Sequence, residues 1–185
     1  MPDTTSEGKD VTQVVLQQHE QIKSLFSRLG AATGDSGEED FCEVRRLLAV
    51  HETAEEEVIY PALRSIGDQG NKVADARTAE EREGKQVLAD LEKEQIGSQG
   101  FQQTFEKLRT AVLAHAEHEE QEVLPLLRSN YDDAKRQQMG KMFELAEQAA
   151  PTHPHPHGPT SATGNIIIGP AVAIMDRVRD AIRGR

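Results

Sequence analysis

Four stretches of helical length carry apolar residues at three- and four-residue spacing, the repeat that puts one face of a helix into a core. On the first, Val15, Ile22, Leu25, Phe26 and Leu29 share a stripe with His19. On the second, Val44, Leu47, Leu48, Val58 and Ile59 share one with His51 and Glu55. The third runs from Val73 and Ala74 through Arg77 and Glu81 to Leu88 and Leu91. The fourth runs from Phe101, Phe105, Leu108 and Val112 into His115 and Glu119. Breaks containing glycine or turn-forming residues fall at 30–37, 67–70, 97–100 and 129–133, which punctuates the pattern into helices joined by short connections. A fifth, shorter helix is predicted over 132–148. Pro61 and Pro125 come near the ends of the second and fourth stretches and predict kinked or loosened last turns. The fold class that follows is all-α: an up-down-up-down four-helix bundle with short additional C-terminal helices.

In each stretch the polar residues continue the apolar stripe, so they point inward. Two of them repeat. His51-Glu-Thr-Ala-Glu55-Glu56 and His115-Ala-Glu-His-Glu119-Glu120 share the form H-x-x-x-E-E, and each is followed by an apolar pair and a proline. The offset is 115 − 51 = 64 residues. Residues four apart lie on one helix face, so each copy offers an imidazole and a carboxylate to the same point. Two such helices facing each other present a nitrogen and oxygen donor set that suits a pair of iron ions better than zinc or calcium. The repeat extends further. Aligning Leu25, Phe26 and Leu29 with Val87, Leu88 and Leu91 sets His19 opposite Glu81. The chain therefore reads as a duplicated helical hairpin.

Composition narrows the alternatives. The 185 residues include 4% aromatics and no Trp, so the core is built from Leu, Val, Ile and Ala. A formal charge of −11 argues against nucleic-acid binding, which needs a basic surface. With one cysteine, Cys42, no intramolecular disulfide is possible. No apolar run is long enough to span a membrane, and the polar, acidic start at residues 1–8 reads as a disordered leader, so a cytoplasmic location is expected. The bundle is expected over 9–130 and the accessory helix over 131–150. A Pro-, His- and Gly-rich linker follows at 151–169, then an amphipathic helix at 170–185 that docks on the same chain or supports a homodimer.

The residues His19, His51-x-x-x-Glu55 and His115-x-x-x-Glu119 resemble the hemerythrin-like, or HHE cation-binding, family, and the actinobacterial members in particular. The resemblance covers about residues 9–130. It implies four helices around an oxo- or hydroxo-bridged pair of iron ions, with Glu55 and Glu119 as bridging carboxylates and His19, His51 and His115 as terminal ligands. The chain departs from the family pattern at two places. Glu81 (or Glu80, one residue off in register) stands where the third helix should supply a histidine. His118 is extra, where the first copy has Ala54. Taken with a bridging oxygen, the set His19, His51, Glu55, Glu81, His115, His118 and Glu119 leaves one position of an octahedral pair open. The remaining glutamates near the motifs, Glu20, Glu52, Glu56, Glu57, Glu117, Glu120 and Glu122, are expected on the surface or behind the ligands; for Tyr60 and Tyr131 ordinary packing is favoured over a place near the site.

The expected partner of such a centre is a small molecule: hydrogen peroxide, nitric oxide or dioxygen. A carboxylate at position 81 in place of a neutral imidazole adds negative charge and favours ferric iron. That points to redox detoxification of catalase or peroxidase type. The alternative is a non-enzymatic protein that binds or senses oxygen or nitric oxide, or handles iron.

Overall fold

The computed structural model describes residues 8–31 and 35–150. Among these the chain forms five helices and no strand. Helix α1 is Val11–Ala31. Helix α2 occupies 35–65, α3 is Asp68–Leu91, α4 occupies 99–130 and α5 is Asp133–Ala149. The helix starts are chemically marked. Asp10 Oδ1 accepts from Thr12 N (2.8 Å), Ser98 Oγ from Phe101 N (3.0 Å) and Asp132 Oδ1 from Lys135 N (2.8 Å), each satisfying a backbone donor that the helix itself cannot. Gly67 (φ 106°) and Gly97 (φ 84°) take left-handed backbone conformations before α3 and α4, where a side chain would be strained.

Helices α2 and α4 are not uniform. Each changes from α to π geometry for one turn, Glu55–Ile59 in α2 and Glu119–Val123 in α4, and then resumes as α-helix. Tyr60 N–H donates to Glu55 O, and Leu124 N–H to Glu119 O, both spanning five residues rather than four. The loosening expected near Pro61 and Pro125 thus takes a defined form. Each proline lacks a donor and would crowd the carbonyl four residues back; the wider turn immediately before it absorbs both effects, and the helix does not end. Each π turn begins at the glutamate of an H-x-x-x-E motif. It also inserts one residue into the 3.6-residue repeat, which lets Val58, Ile59, Tyr60, Ala62 and Leu63 all be buried.

The core is in two parts. Phe26, Leu29, Phe41, Leu48, Leu91, Phe101, Phe105 and Leu108 fill one end of the bundle. Val11, Val15, Ile59, Leu63, Leu124, Leu127, Met139 and Phe143 fill the other. The inward polar residues lie between these halves in sequence on every long helix: His19 between Val15 and Ile22, His51 between Leu48 and Val58, Glu81 between Ala74 and Leu88, His115 between Val112 and Val123. Helix α1 packs on α2, α3 on α4, and α5 lies against both α1 and α2. Helix α5 fits closely because residue 140 is glycine; a Cβ there would lie 2.0 Å from Lys9 O. Arg136 ties its start to Asp10 (Nε to Oδ2, 2.7 Å).

No helix among the described residues is long and apolar enough to cross a membrane. The expected linker at 151–169 and the amphipathic helix at 170–185, with its docking or dimer role, lie outside the described residues, as does the leader apart from Gly8.

Candidate metal centre

Six of the residues singled out from the sequence meet in the layer between the two core halves: His19, His51, Glu55, Glu81, His115 and Glu119. All are buried, between 1% and 9% exposed. Their donor atoms form two groups in which every atom lies within 4.8 Å of the others. One is His19, His51, Glu55 and Glu119; the other is Glu55, Glu81 and His115. Glu55 belongs to both.

The distances explain the grouping. His51 Nε2 is 3.3 Å from Glu55 Oε1, and His115 Nε2 is 4.0 Å from Glu55 Oε2. His19 Nε2 is 3.2 Å from Glu119 Oε2, and His115 Nε2 is 3.6 Å from Glu119 Oε1. Each glutamate therefore stands between two imidazoles, one oxygen toward each. Both oxygens of Glu55, Glu81 Oε2 and His115 Nε2 are buried without a hydrogen-bond partner. Buried orphans of this kind cost roughly 1–3 kcal/mol each, and such atoms on residues of the two donor groups fit a cation site, since carboxylate and imidazole are metal donors.

The outer nitrogens are held as well. His19 Nδ1 donates to Glu120 Oε1 (3.0 Å), His115 Nδ1 to Glu80 Oε2 (3.0 Å) and His51 Nδ1 to Gln18 Oε1 (2.5 Å). Gln18 Nε2 in turn donates to Glu147 on α5. An acceptor on each Nδ1 favours the proton there, so that each Nε2, in the neutral ring, offers its lone pair to the centre, the tautomer a metal ligand requires.

Electrostatics separate the groups. Burial, reinforced by the charge of Glu119, pushes the Glu55 carboxyl well above its usual range. Burial and Glu52 do the same to Glu81. Burial opposes charge at Glu119 too, but His115, His19 and His51 outweigh it and hold Glu119 down at about 2. Burial and the neighbouring His19 drive His51 down to about 3, so it is neutral. His115 is raised despite burial, because Glu119, Glu55 and Glu80 surround it.

His118 is placed differently. Its side chain is 45% exposed and its Nδ1 lies 2.9 Å from Glu80 Oε1, so Glu80 bridges His115 and His118. His118 is in neither donor group. Tyr60, for which the sequence favours ordinary packing over a place near the site, donates its hydroxyl to Glu81 and lies 3.4 Å from Glu119 Oε1. Tyr131 does pack away from the centre, on Ala62 O (2.8 Å). Glu52 is buried rather than solvated, and its partner is Lys85, whose Nζ lies 3.4 Å from Glu52, 2.7 Å from Glu56 and 3.6 Å from Glu81. Lys85 had a readable signal, four residues after Glu81. Gln18 had none: its role depends on α5, which no local spacing connects to α1.

Beside the centre is a cavity of about 20 Å³ open to a water-sized molecule. His19, His51, His115 and Glu81 form its polar wall, and Ile22, Leu48 and Val112 its apolar one. A space this size holds about one water.

Comparison with known proteins agrees with the geometry. The sequence profile described as Hemerythrin HHE cation binding domain matches residues 10–127. An uncharacterized hemerythrin-like protein of Schizosaccharomyces pombe is 23% identical over 172 residues, covering 92% of this chain and 85% of its own. An uncharacterized protein of Mycobacterium tuberculosis is 30% identical over 139 residues, 73% of this chain and 84% of that one. The crystal structure of a Hemerythrin HHE cation binding domain-containing protein from Mycobacterium kansasii superposes with a TM-score of 0.69 at 22% identity, over 76% of this chain and 86% of the other.

Proposed function

Because the chain belongs to the hemerythrin HHE cation-binding domain family, we propose that its buried histidine–glutamate layer holds a pair of iron ions and reacts with a small oxidant, hydrogen peroxide foremost. The observation that carries this reading is the sharing of Glu55 between two donor groups, with Glu119 set between His19 and His115. Glu55 and Glu119, each with one oxygen toward either of two imidazoles, would be shared by the pair, and His19, His51, Glu81 and His115 would complete the set that holds it. His118 acts through Glu80 rather than on the metal.

Bound iron would supply the redox equivalents for disproportionation, in which one peroxide is reduced to water and another oxidised to dioxygen. The chain's contribution is placement, exclusion and proton handling. The cavity admits a single small molecule and no organic substrate. Its apolar wall restricts water. Glu52, which also lines the cavity, is pushed up to about 6 by burial, so its carboxyl can take and return a proton near neutral pH. Lys85 modifies the expectation from Glu81: an ammonium 3.6 Å from its Oε2 offsets part of the negative charge that favours ferric iron.

The test is iron reconstitution of the purified protein, followed by metal analysis, an optical spectrum and oxygen evolution from peroxide. The expected result is a pair of irons per chain, near-ultraviolet charge-transfer bands and sustained oxygen release. A single zinc per chain would overturn the metal assignment. Iron with azide or oxygen binding but no peroxide turnover would favour the binding or sensing alternative.

A further inference from the structure

Gly84 sits in the interior of α3, one turn beyond Glu81, where glycine is the least favourable residue short of proline. Two structural reasons can require a glycine in a helix, and neither applies. Its backbone is ordinary helix, unlike Gly67 and Gly97. It is not pressed against another backbone either. A Cβ at Gly70 would lie 1.8 Å from Leu63 O and one at Gly140 2.0 Å from Lys9 O, whereas a Cβ at Gly84 would meet nothing within 4 Å. Yet Gly84 is buried. The open space is the cavity beside His51, His115 and Glu81, and Gly84 is part of its wall.

We propose that Gly84 is a specificity-determining residue: its missing side chain keeps open the chamber in which a small ligand meets the metal centre, and so sets the size of molecule admitted. The inference rests on the reading that this cavity receives the oxidant. A cavity with room for about one water is altered by a single added methyl group and closed by a larger side chain. The helix itself gains from that methyl group, so loss of ligand access and gain of fold stability should appear together. A position serving only the fold would not show that combination.

The experiment compares Gly84→Ala and Gly84→Leu with wild type in the iron-loaded full chain. It measures iron per chain, melting temperature after iron removal, affinity for azide and fluoride, and peroxide turnover. Gly84→Ala should keep its iron and melt about 2–4 °C higher. Its ratio of azide to fluoride affinity should fall at least threefold, because the three-atom anion needs more of the chamber than the one-atom anion. Gly84→Leu should keep its iron, bind azide at least tenfold more weakly and lose peroxide turnover to a similar extent. Unchanged azide-to-fluoride ratios in Gly84→Ala overturn the proposal even if Gly84→Leu fails to fold. So does a Gly84→Leu protein that holds iron and binds azide like wild type. Wild type that takes up no iron fails differently: it sinks the functional reading and this inference together. Wild type with iron and azide binding but no peroxide turnover sinks only the peroxide chemistry and leaves the size series decisive.

Discussion

Replacing Glu55 by glutamine should have opposite effects on the metal-free and iron-loaded proteins. Both Glu55 oxygens are buried without a hydrogen-bond partner. In the metal-free chain its carboxyl is held protonated by burial and by the charge of Glu119, well above the ordinary 4.5. A group whose folded pKa is raised contributes its stability at low pH and loses it as pH rises through the folded value. Each such proton steepens the loss by at most about 1.4 kcal/mol per pH unit. Glutamine keeps the shape and never ionises. Metal-free Glu55→Gln should therefore match wild type near pH 5 and exceed it at pH 8–9. The gain is the proton-linked loss that wild type alone suffers, roughly 1–3 kcal/mol over one to two pH units of that slope, which is about 2–12 °C in melting temperature for a chain of this size. The iron-loaded comparison should invert, because a neutral amide cannot balance cation charge from two sides. The assay is a pair of melting curves against pH, with and without iron, plus iron content after dialysis. Stabilisation in both forms, destabilisation in both, or a pH-independent difference would refute the reasoning.

Glu80→Ala removes the acceptor shared by His115 and His118 and should weaken iron retention about 10- to 100-fold; His118→Ala should cost less than tenfold and leave the optical bands in place, and a lost or shifted band would make His118 a ligand. Lys85→Met leaves Glu52, Glu56 and Glu81 without their shared ammonium. It should destabilise the metal-free protein by about 3–5 kcal/mol at neutral pH, and in the iron-loaded protein it should move the reduction potential in the negative direction. An unchanged denaturation midpoint would show that the lysine is solvated.

The helices and the polar layer were legible because both obey one periodicity. His19, His51, Glu81 and His115 continue stripes that also carry the core, so burying the stripe buries them. What was not legible came from contacts that the period does not encode. The π turns shift the phase within α2 and α4, and a pattern read at 3.6 residues sees only the two prolines beyond them. His118 follows His115 by three residues and belongs by spacing to the same face, yet Glu80 of the neighbouring helix holds it outward. Tyr60 enters the centre only because the inserted residue of the π turn rotates it inward.

The close seat of α5 on α1 and α2 bears on where this protein can be divided. The matched family profile ends at residue 127, and all six buried donors lie before it. Helix α5 begins after that boundary. Yet Phe143 packs its ring 6.2 Å from that of His51, and Glu147 anchors the glutamine that orients the same imidazole. Met139 and Phe143 are fully buried. A fragment ending at 130 would retain every donor and lose the wall behind one of them. The smallest piece that folds as the native centre is therefore longer than the piece that the family profile outlines.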